Sequence, residues 1–519
     1  MALLRSVATI GGYTLLSRIL GFARDVLVAA FVGAGPVADA FFVAFKFPNL
    51  FRRLFAEGAF NAAFVPIFAG LAATSGHGAA KRFAEDALAV LLAVLVVFVV
   101  GAELTMPWLM YAFAPGFSAD PAKFRLAVDL TRITFPYLLF ISLVSLQGGV
   151  LNSIDRFAAV AATPVLMNVC FIAGLLLLIN LTPTAGHALS WGVALAGVVQ
   201  FLWLAAAMDR AGLALSLPRP RLSPEVRRLL ALMLPATLGA GVVQVNLMID
   251  IVIASLLPTG AVSFLYYADR VYELPLGVIG IAIGTALLPQ LSRHARRGEE
   301  GAAITSLNRG LEAALLLTLP ATVALLVIAR PIIAGLFERG AFGTSATGAT
   351  AAALIAYALG LPAYVLIKVL TPGFYARHDT QTPVKIAVGC VIANTAIALA
   401  LLKPLAAFGV AHVGIAFATA ASAWLNTGAL AIILYRRGHL VPDAGLRRRG
   451  PRALAASLVM GATLWAATVP LAAWLAGGST HRMAGLGVLV VVGLAVYGIA
   501  ALLLGAADGG QVRRLLART

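Results

Sequence analysis

The sequence predicts an all-α polytopic membrane protein with about fourteen transmembrane helices. Three observations predict it. First, 61% of the 519 residues are hydrophobic and only 11% are charged, where a soluble domain carries roughly 25% charged residues. The mean hydropathy is +0.96. Second, apolar runs recur from end to end, among them Leu88–Val100, Val165–Leu181, Ala313–Ile328 and Leu454–Leu475. Each approaches the roughly 20 residues that carry a helix across a bilayer core. The runs are continuous and do not alternate, which favours helices over a barrel. Third, the net charge of +17 is concentrated in alternate connections. Lys81, Arg82, Arg156, the stretch Arg219–Arg228, Arg293, Arg296, Arg297, Arg377, Arg436, Arg437, Arg447–Arg449, Arg513, Arg514 and Arg518 fall on one side. The connections at Gly33–Pro36, Ala114–Lys123, Thr182–His187, Pro258–Gly260, Thr344–Gly348 and Gly477–Thr480 are poor in charge. This is the positive-inside pattern, and it predicts a multi-pass inner-membrane protein with both termini in the cytoplasm. It also accounts for the basic charge without nucleic acid. Anionic lipid headgroups attract such loops.

The first span reads as an uncleaved helix, since no signal-peptide cleavage site follows it. Cys170 and Cys390 lie inside apolar spans and read as packing residues. No P-loop, H-E-x-x-H, paired-cysteine or G-x-S-x-G pattern occurs, so the sequence offers no ATPase, zinc or serine-nucleophile motif.

The chain repeats itself at an offset of about 224 residues. Asp25 matches Asp250, Ala44-Phe45-Lys46 matches Ala268-Asp269-Arg270, and Phe64-Val65-Pro66 matches Leu287-Leu288-Pro289. Asp155 before Pro164 matches Asp379 before Pro383, and Gly192 matches Gly414. Six spans per repeat make the repeat parallel. The expected lobes are 1–215 and 223–440, joined by the Pro- and Arg-rich segment Leu217–Arg228. A C-terminal helix pair at 450–505 lies outside the repeat.

The informative residues are charges in the wrong solvent. Span 1 carries Ser17, Arg18, Arg24 and Asp25, and span 2 carries Asp39, Lys46, Asn49, Arg52, Arg53 and Glu57. Span 7 carries Gln244, Asn246 and Asp250, and span 8 carries Asp269, Arg270 and Glu273. A central Arg, Lys or Asp costs roughly 2.5–3.5 kcal/mol on insertion scales, so these must line a wet cavity or pair with one another. On an ideal helix Asp39, Lys46, Arg53 and Glu57 share a stripe, and Arg18 and Asp25 share a face. Pro48, Pro258 and Pro275 are expected to interrupt helices at matching places in the two halves, a pointer to a central site. Ion pairs around Arg24 and Arg270 are the structural alternative. Arg18, Arg24, Lys46, Arg52, Arg53 and Arg270 outnumber the acids Asp25, Asp39, Glu57, Asp269 and Glu273. Surplus guanidinium suits phosphate, which it binds bidentately while staying charged. Asp250 has no cation near it in sequence. It is a candidate for a coupling cation with Asn394 as a further oxygen donor, or else a carboxylate hydrogen-bonded by Gln244 or Asn246.

Ser17–Asp25, Asp39–Asn49, Arg52–Phe60, Tyr266–Glu273, Leu370–Asp379 and Thr382–Lys385, read as strings, closely resemble the MurJ (MviN) family of lipid II flippases. The resemblance covers essentially the whole chain. It implies the fold of the multidrug/oligosaccharidyl-lipid/polysaccharide exporter superfamily, with two six-helix lobes and a C-terminal pair forming a groove for a polyprenyl tail. It implies alternating-access transport of lipid II, needed for cell wall synthesis, and no enzymatic activity. The family's cavity arginines match Arg18, Arg24, Arg52 and Arg270, with Asp25, Asn49, Arg53 and Glu57 as further substrate-site residues. Closure is expected near Pro48 and Pro275. Asp250 and Asn394 look like two ligands of the sodium site of some relatives, while Ala398 stands where a further acidic ligand is expected. Apart from that Na+ or another coupling cation, no cofactor is implied. The partners implied are lipid II, membrane lipids and the peptidoglycan synthesis machinery. Two rivals remain. One is a flippase for another polyprenyl-diphosphate-linked glycan. The other is a polytopic glycosyltransferase, whose catalytic carboxylate would be Asp120 in a short charge-poor loop.

Overall fold

The computed structural model describes residues 2–55 and 59–507, and Glu57 and Arg513, Arg514 and Arg518 lie outside them. The described residues form helices throughout and divide into two compact units, Met1–Ser263 and Phe264–Thr519.

The first unit holds α1 (Ala2–Val32), α2 (Pro36–Phe55), α3 (Ala59–Ser75) and α4 (His77–Phe113), then a short 3-10 turn (Pro115–Ala119). There follow α5 (Pro121–Thr134), α6 (Tyr137–Ser153), α7 (Phe157–Ala161), α8 (Thr163–Leu178), α9 (Ala185–Arg210) and α10 (Pro224–Ser255). α11 (Ala261–Arg296) begins at its boundary. The second unit continues with α12 (Glu300–Val327), α13 (Ala329–Phe337), α14 (Thr344–Tyr375), α15 (Gln381–Ala406) and α16 (Ala411–Arg436). It ends with α17 (Ala444–Thr468), α18 (Ala472–Leu475) and α19 (Ser479–Leu503).

Nine helical stretches among the described residues are long and apolar enough to span a membrane. The other five crossings expected from the sequence fall on α1, α2 with α3, α10, α11 and α17. α1, α2 and α11 carry the embedded charges that pull their hydropathy down. The division falls one helix later than the lobe boundary drawn from the repeat, because α10 packs on α2, α3 and α4. The C-terminal pair is part of the second unit, with α17 on α12 and α19 on α17 and α13.

Small residues let the helices approach, as expected where lipid supplies no hydrophobic drive between them. A Cβ on Gly174 would meet the Gly192 backbone at 2.6 Å, so α8 and α9 touch main chain to main chain. Gly360 serves α14 and α16 in the same way, 2.8 Å from Ala420. Ring stacks of Phe60, Phe64, Phe68 and Phe83 build the core of the first unit.

Two expectations need correction. Pro48 and Pro275 do not interrupt their helices; α2 and α11 run through them, and Pro258 sits in the connection between α10 and α11. At Pro48 the reason is visible. Proline leaves the carbonyl four residues back without its helical donor, and that carbonyl, Ala44 O, accepts instead from Thr134 Oγ1 at 2.9 Å. The repeat also shifts by one residue at the ends of α6 and α14. Asp155 and His378 both adopt φ of 61°. The next amide bonds back to Leu151 O in one case and Phe374 O in the other, closing the same C-terminal cap. Asp155 therefore corresponds to His378, and Asp379 to Arg156.

Candidate functional site

The first cluster joins α1 to α8. Arg24 and Asp25 are 7% and 5% exposed. Arg24 Nε and Nη2 donate to Asp25 Oδ1 at 3.0 and 2.8 Å, and Nη1 donates to Asn168 Oδ1 at 3.1 Å. The guanidinium lies over the Phe171 ring at 4.9 Å. Asn168 is held in turn, because its Nδ2 donates to Ser17 O at 3.1 Å and Pro164 O at 3.0 Å. The ion pair raised as an alternative around Arg24 is thus present. Sequence reasoning passed over Asn168, although an amide inside an otherwise apolar run was the available signal.

The second cluster runs along α2. Asn49 Nδ2 donates to Phe45 O at 2.7 Å, and Asn49 Oδ1 accepts from Arg52 Nε at 2.9 Å. Asn49 therefore sets the orientation of Arg52. Lys46 and Arg52 are half-buried, while Arg53 and, one helix earlier, Arg18 are exposed. The stripe from Asp39 to Arg53 thus runs from a buried to an open environment, and Glu57, its expected end, falls outside the described residues.

Asp39 has a different role from its neighbours on the stripe. It is 1% exposed and saturated. Oδ2 accepts from Lys123 Nζ at 2.7 Å and from Gly260 N at 2.8 Å. Oδ1 accepts from Ser263 N at 3.0 Å and Ser263 Oγ at 2.6 Å. Lys123 is 6% exposed, lies over the Phe117 ring at 4.2 Å, and donates to Thr259 Oγ1 at 3.4 Å. Gly116 N donates to Ser255 Oγ at 3.2 Å beside it. One carboxylate thereby ties the starts of α2, α5 and α11 together in the charge-poor connections. Asp39 and Ser263 are 224 residues apart, the repeat offset, so equivalent positions meet here. Asp120, the candidate for a catalytic carboxylate, caps α5, accepting from Ala122 N and Lys123 N at 3.0 and 3.1 Å.

In the second unit Arg270 is flanked by Asp269 at 3.6 Å and Glu273 at 3.2 Å and lies over Tyr266 at 5.1 Å. Its side chain is 32% exposed. This, too, is the pairing the sequence left open. The surplus of cations among the described residues therefore sits on α1 and α2, whereas α11 sets one arginine between two acids. Tyr272 stacks on Tyr357 at 5.0 Å just behind. Lys368 of α14 lies against Gly280, where a Cβ would come within 2.8 Å of its Cδ.

Asp250 and Asn394 are the candidates for a coupling cation. Asp250, in the first unit, accepts from Asn246 Nδ2 at 3.4 Å. Asn394, in the second, is fully buried, and so is Ala398 one turn on. No group of three or more His, Cys, Asp or Glu that could hold a metal occurs among the described residues.

A sequence profile described as lipid II flippase MurJ matches residues 28–485. The chain belongs to the MurJ family. A probable lipid II flippase MurJ of Rhizobium tropici is 45% identical over 524 residues, spanning 100% of this chain and 97% of its own length. A lipid II flippase MurJ of Burkholderia cenocepacia is 40% identical over 464 residues, 89% of each chain. Among solved structures, a lipid II flippase MurJ in an inward closed conformation superposes with a TM-score of 0.78 at 24% identity, covering 95% of this chain and 97% of that one. An inward-facing MATE family transporter of the MOP superfamily follows at 0.69 and 15% identity, covering 83% and 95%. These likenesses carry the fold. The family match and the nine apolar spans among the described residues place this MurJ-family chain among multi-pass membrane transporters rather than enzymes.

Proposed function

We propose that this chain is a lipid II flippase that carries the lipid-linked peptidoglycan precursor from the cytoplasmic to the periplasmic leaflet of the inner membrane by alternating access. The observation that carries this reading is the end-to-end similarity to curated lipid II flippases, up to 45% over the whole chain, with the motif-borne arginines in place. Both termini then lie in the cytoplasm, on the side of the basic connections.

No covalent bond changes in such a step, so the protein must offer the charged headgroup a replacement for water. Arg18, Lys46, Arg52 and Arg53 meet the diphosphate and the peptide carboxylates first, since they are exposed or half-buried and outnumber the acids around them. Asn49 holds the Arg52 fork ready for a bidentate contact. Arg24 and Arg270 then exchange Asp25, Asp269 and Glu273 for the anion. The polyprenyl tail stays in lipid along α17 and α19. The Asp39–Lys123 cluster fastens the starts of α2, α5 and α11 at the charge-poor, periplasmic end. Glu57 is assigned to this site by sequence alone. A membrane potential contributes about 2.3 kcal/mol per unit charge per 100 mV. Asp250 and Asn394 are the residues a coupling cation would use. The peptidoglycan synthesis machinery is the expected consumer of the exposed lipid.

The test is complementation of a cell depleted of its own lipid II flippase, with lipid II accessibility at the outer leaflet measured directly. The expected outcome is growth together with restored exposure. Expressed protein that restores neither points to a different polyprenyl-diphosphate-linked glycan.

A further inference from the structure

α10 packs on α3 but does not close on it along its first turns. Between them lies a cavity of about 480 Å³, within the range of roughly 300–1,000 Å³ usual for small-molecule sites. Small residues on one membrane helix normally let a neighbour approach. Here Ala62, Ala63, Pro66 and Gly70 line the α3 wall, and a Cβ on Gly70 would meet nothing within 4 Å. The small residues therefore widen a space instead of bringing two backbones together. From Ala62 to Thr74 the wall runs about 18 Å along the helix, close to the hydrocarbon depth of one leaflet, half of a core of roughly 30 Å.

The two ends of this cavity differ. Thr74, Glu225 and Arg228 line it where α3 finishes and α10 starts, on the side of the basic connections. Away from that end the lining is apolar, with Ile67 and Leu71 of α3 and Leu232 of α10 beside the small residues. Glu225 is half-buried and Arg228 exposed. They stand one turn apart on one face of α10, yet neither makes an ion pair or hydrogen bond with another described residue. Thr74 Oγ1 donates to Gly70 O at 2.9 Å, so its oxygen is left to act as an acceptor. One wall-lining cation and two acceptors thus share the polar end.

An apolar slot whose polar end carries both signs of charge matches a hydrocarbon chain ending in a phosphate and a hydrogen-bonding cation. We propose that the α3–α10 cavity is a binding site for a zwitterionic glycerophospholipid with a primary amine, phosphatidylethanolamine, from the cytoplasmic leaflet. One acyl chain lies along the small-residue wall of α3. The phosphate meets the Arg228 fork, and the ammonium donates to Glu225 and Thr74 Oγ1. A phospholipid with the phosphate alone leaves the Glu225 carboxylate facing like charge. The seated lipid fills the space that α10 leaves against α3, and the assignment does not depend on what the chain transports.

The test uses the purified full-length chain in nanodiscs of phosphatidylcholine, whose quaternary ammonium donates no hydrogen bond. Trace photoactivatable phosphatidylethanolamine, with a diazirine midway along one acyl chain, is compared with phosphatidylglycerol carrying the same chain, which shares the phosphate and lacks the amine. Cross-links are mapped by mass spectrometry. The phosphatidylethanolamine probe should label residues 62–74 and 225–232 more strongly, by up to about fivefold, the strength of an exposed ion pair. Both probes should label α19 alike. Glu225→Gln should bring the two probes level in the cavity, and Arg228→Gln should lower labelling by both. Gly70→Leu, which helix propensity favours, should block labelling in the cavity and leave α19 unchanged. Equal labelling of the parent by both probes would mean ordinary surrounding lipid and overturn the proposal, as would a preference that survives Glu225→Gln. So would displacement of the label by a polyprenyl diphosphate lipid, which would assign the space to the transported tail.

Discussion

Asp39 on α2 and Arg270 on α11 lie on helices that correspond in the repeat, yet their surroundings differ in kind. The Asp39–Lys123 side chains are 1% and 5% exposed, and every acceptor direction of the carboxylate is used. Arg270 and its two acids are 32%, 23% and 42% exposed, at separations of 3.2 and 3.6 Å. A saturated, dry pair has nothing left for a ligand and fixes the backbone around it. A wet, loosely held arginine can change partners. The repeat thus supplies two helices of one kind, one fastened at its start by a saturated ion pair and the other carrying an arginine between two acids.

The largest expected effect comes from breaking the dry pair. Asp39→Ala or Lys123→Met alone strands a buried charge, a loss of about 3–5 kcal/mol. The thermal midpoint of the purified protein should fall, and Ser263→Cys in either background should react faster with a water-soluble maleimide. Asp39→Leu combined with Lys123→Met should recover part of the midpoint, because no lone charge remains. Singles that melt and react like the parent would remove the fastening role of Asp39.

Next in size is the wet site. Arg270→Ala should leave the thermal midpoint nearly unchanged while weakening substrate binding by about 1.5–3 kcal/mol, the usual value of a charged hydrogen bond. Glu273→Gln should tighten it, since it releases Arg270. Weaker binding in Glu273→Gln would mean that the acid contacts the substrate itself.

A smaller effect is expected at Asn168. Asn168→Ala removes one hydrogen bond to Arg24, about 1 kcal/mol. It should cost stability without abolishing transport, as Asp25 still holds the guanidinium. Loss of transport at full membrane abundance would show that the orientation of Arg24, and not its charge, is what matters.

The smallest effect lies outside the membrane, in the connection after α14. Hydrogen bonds from Arg437 and Thr382 bring the Asp379 carboxyl down to about 2. A depressed carboxyl contributes above its unfolded value of about 3.9 and loses that contribution as pH falls through the folded one. Parent and Asp379→Asn should therefore differ slightly at pH 5 and converge towards pH 2. The group is exposed enough that solvent screening keeps the difference small. A gap that persists at pH 2 would assign it to packing.

The helices, the repeat and the arginine motifs were legible because each is local or periodic in the chain. Partners distant in sequence were not. Lys123 lies 84 residues from Asp39 and Asn168 lies 144 from Arg24, and no pattern joins them. The prolines misled for the same reason, since Thr134 relieves Ala44 from 90 residues away. The one-residue slip between Asp155 and His378 is a matter of backbone conformation, which two aspartates each followed by a proline concealed. Sequence also counted Arg24 and Arg270 as surplus charge, and the distances reveal which acids hold them.

The central claim is that cations on α1, α2 and α11 carry the headgroup of lipid II. The most direct measurement is outer-leaflet lipid II in cells whose sole flippase is this chain, comparing the parent with Arg24→Ala, Arg52→Ala and Arg270→Ala at equal membrane abundance. The account predicts exposure with the parent and its loss in each variant. Parent-level exposure in all three would contradict it.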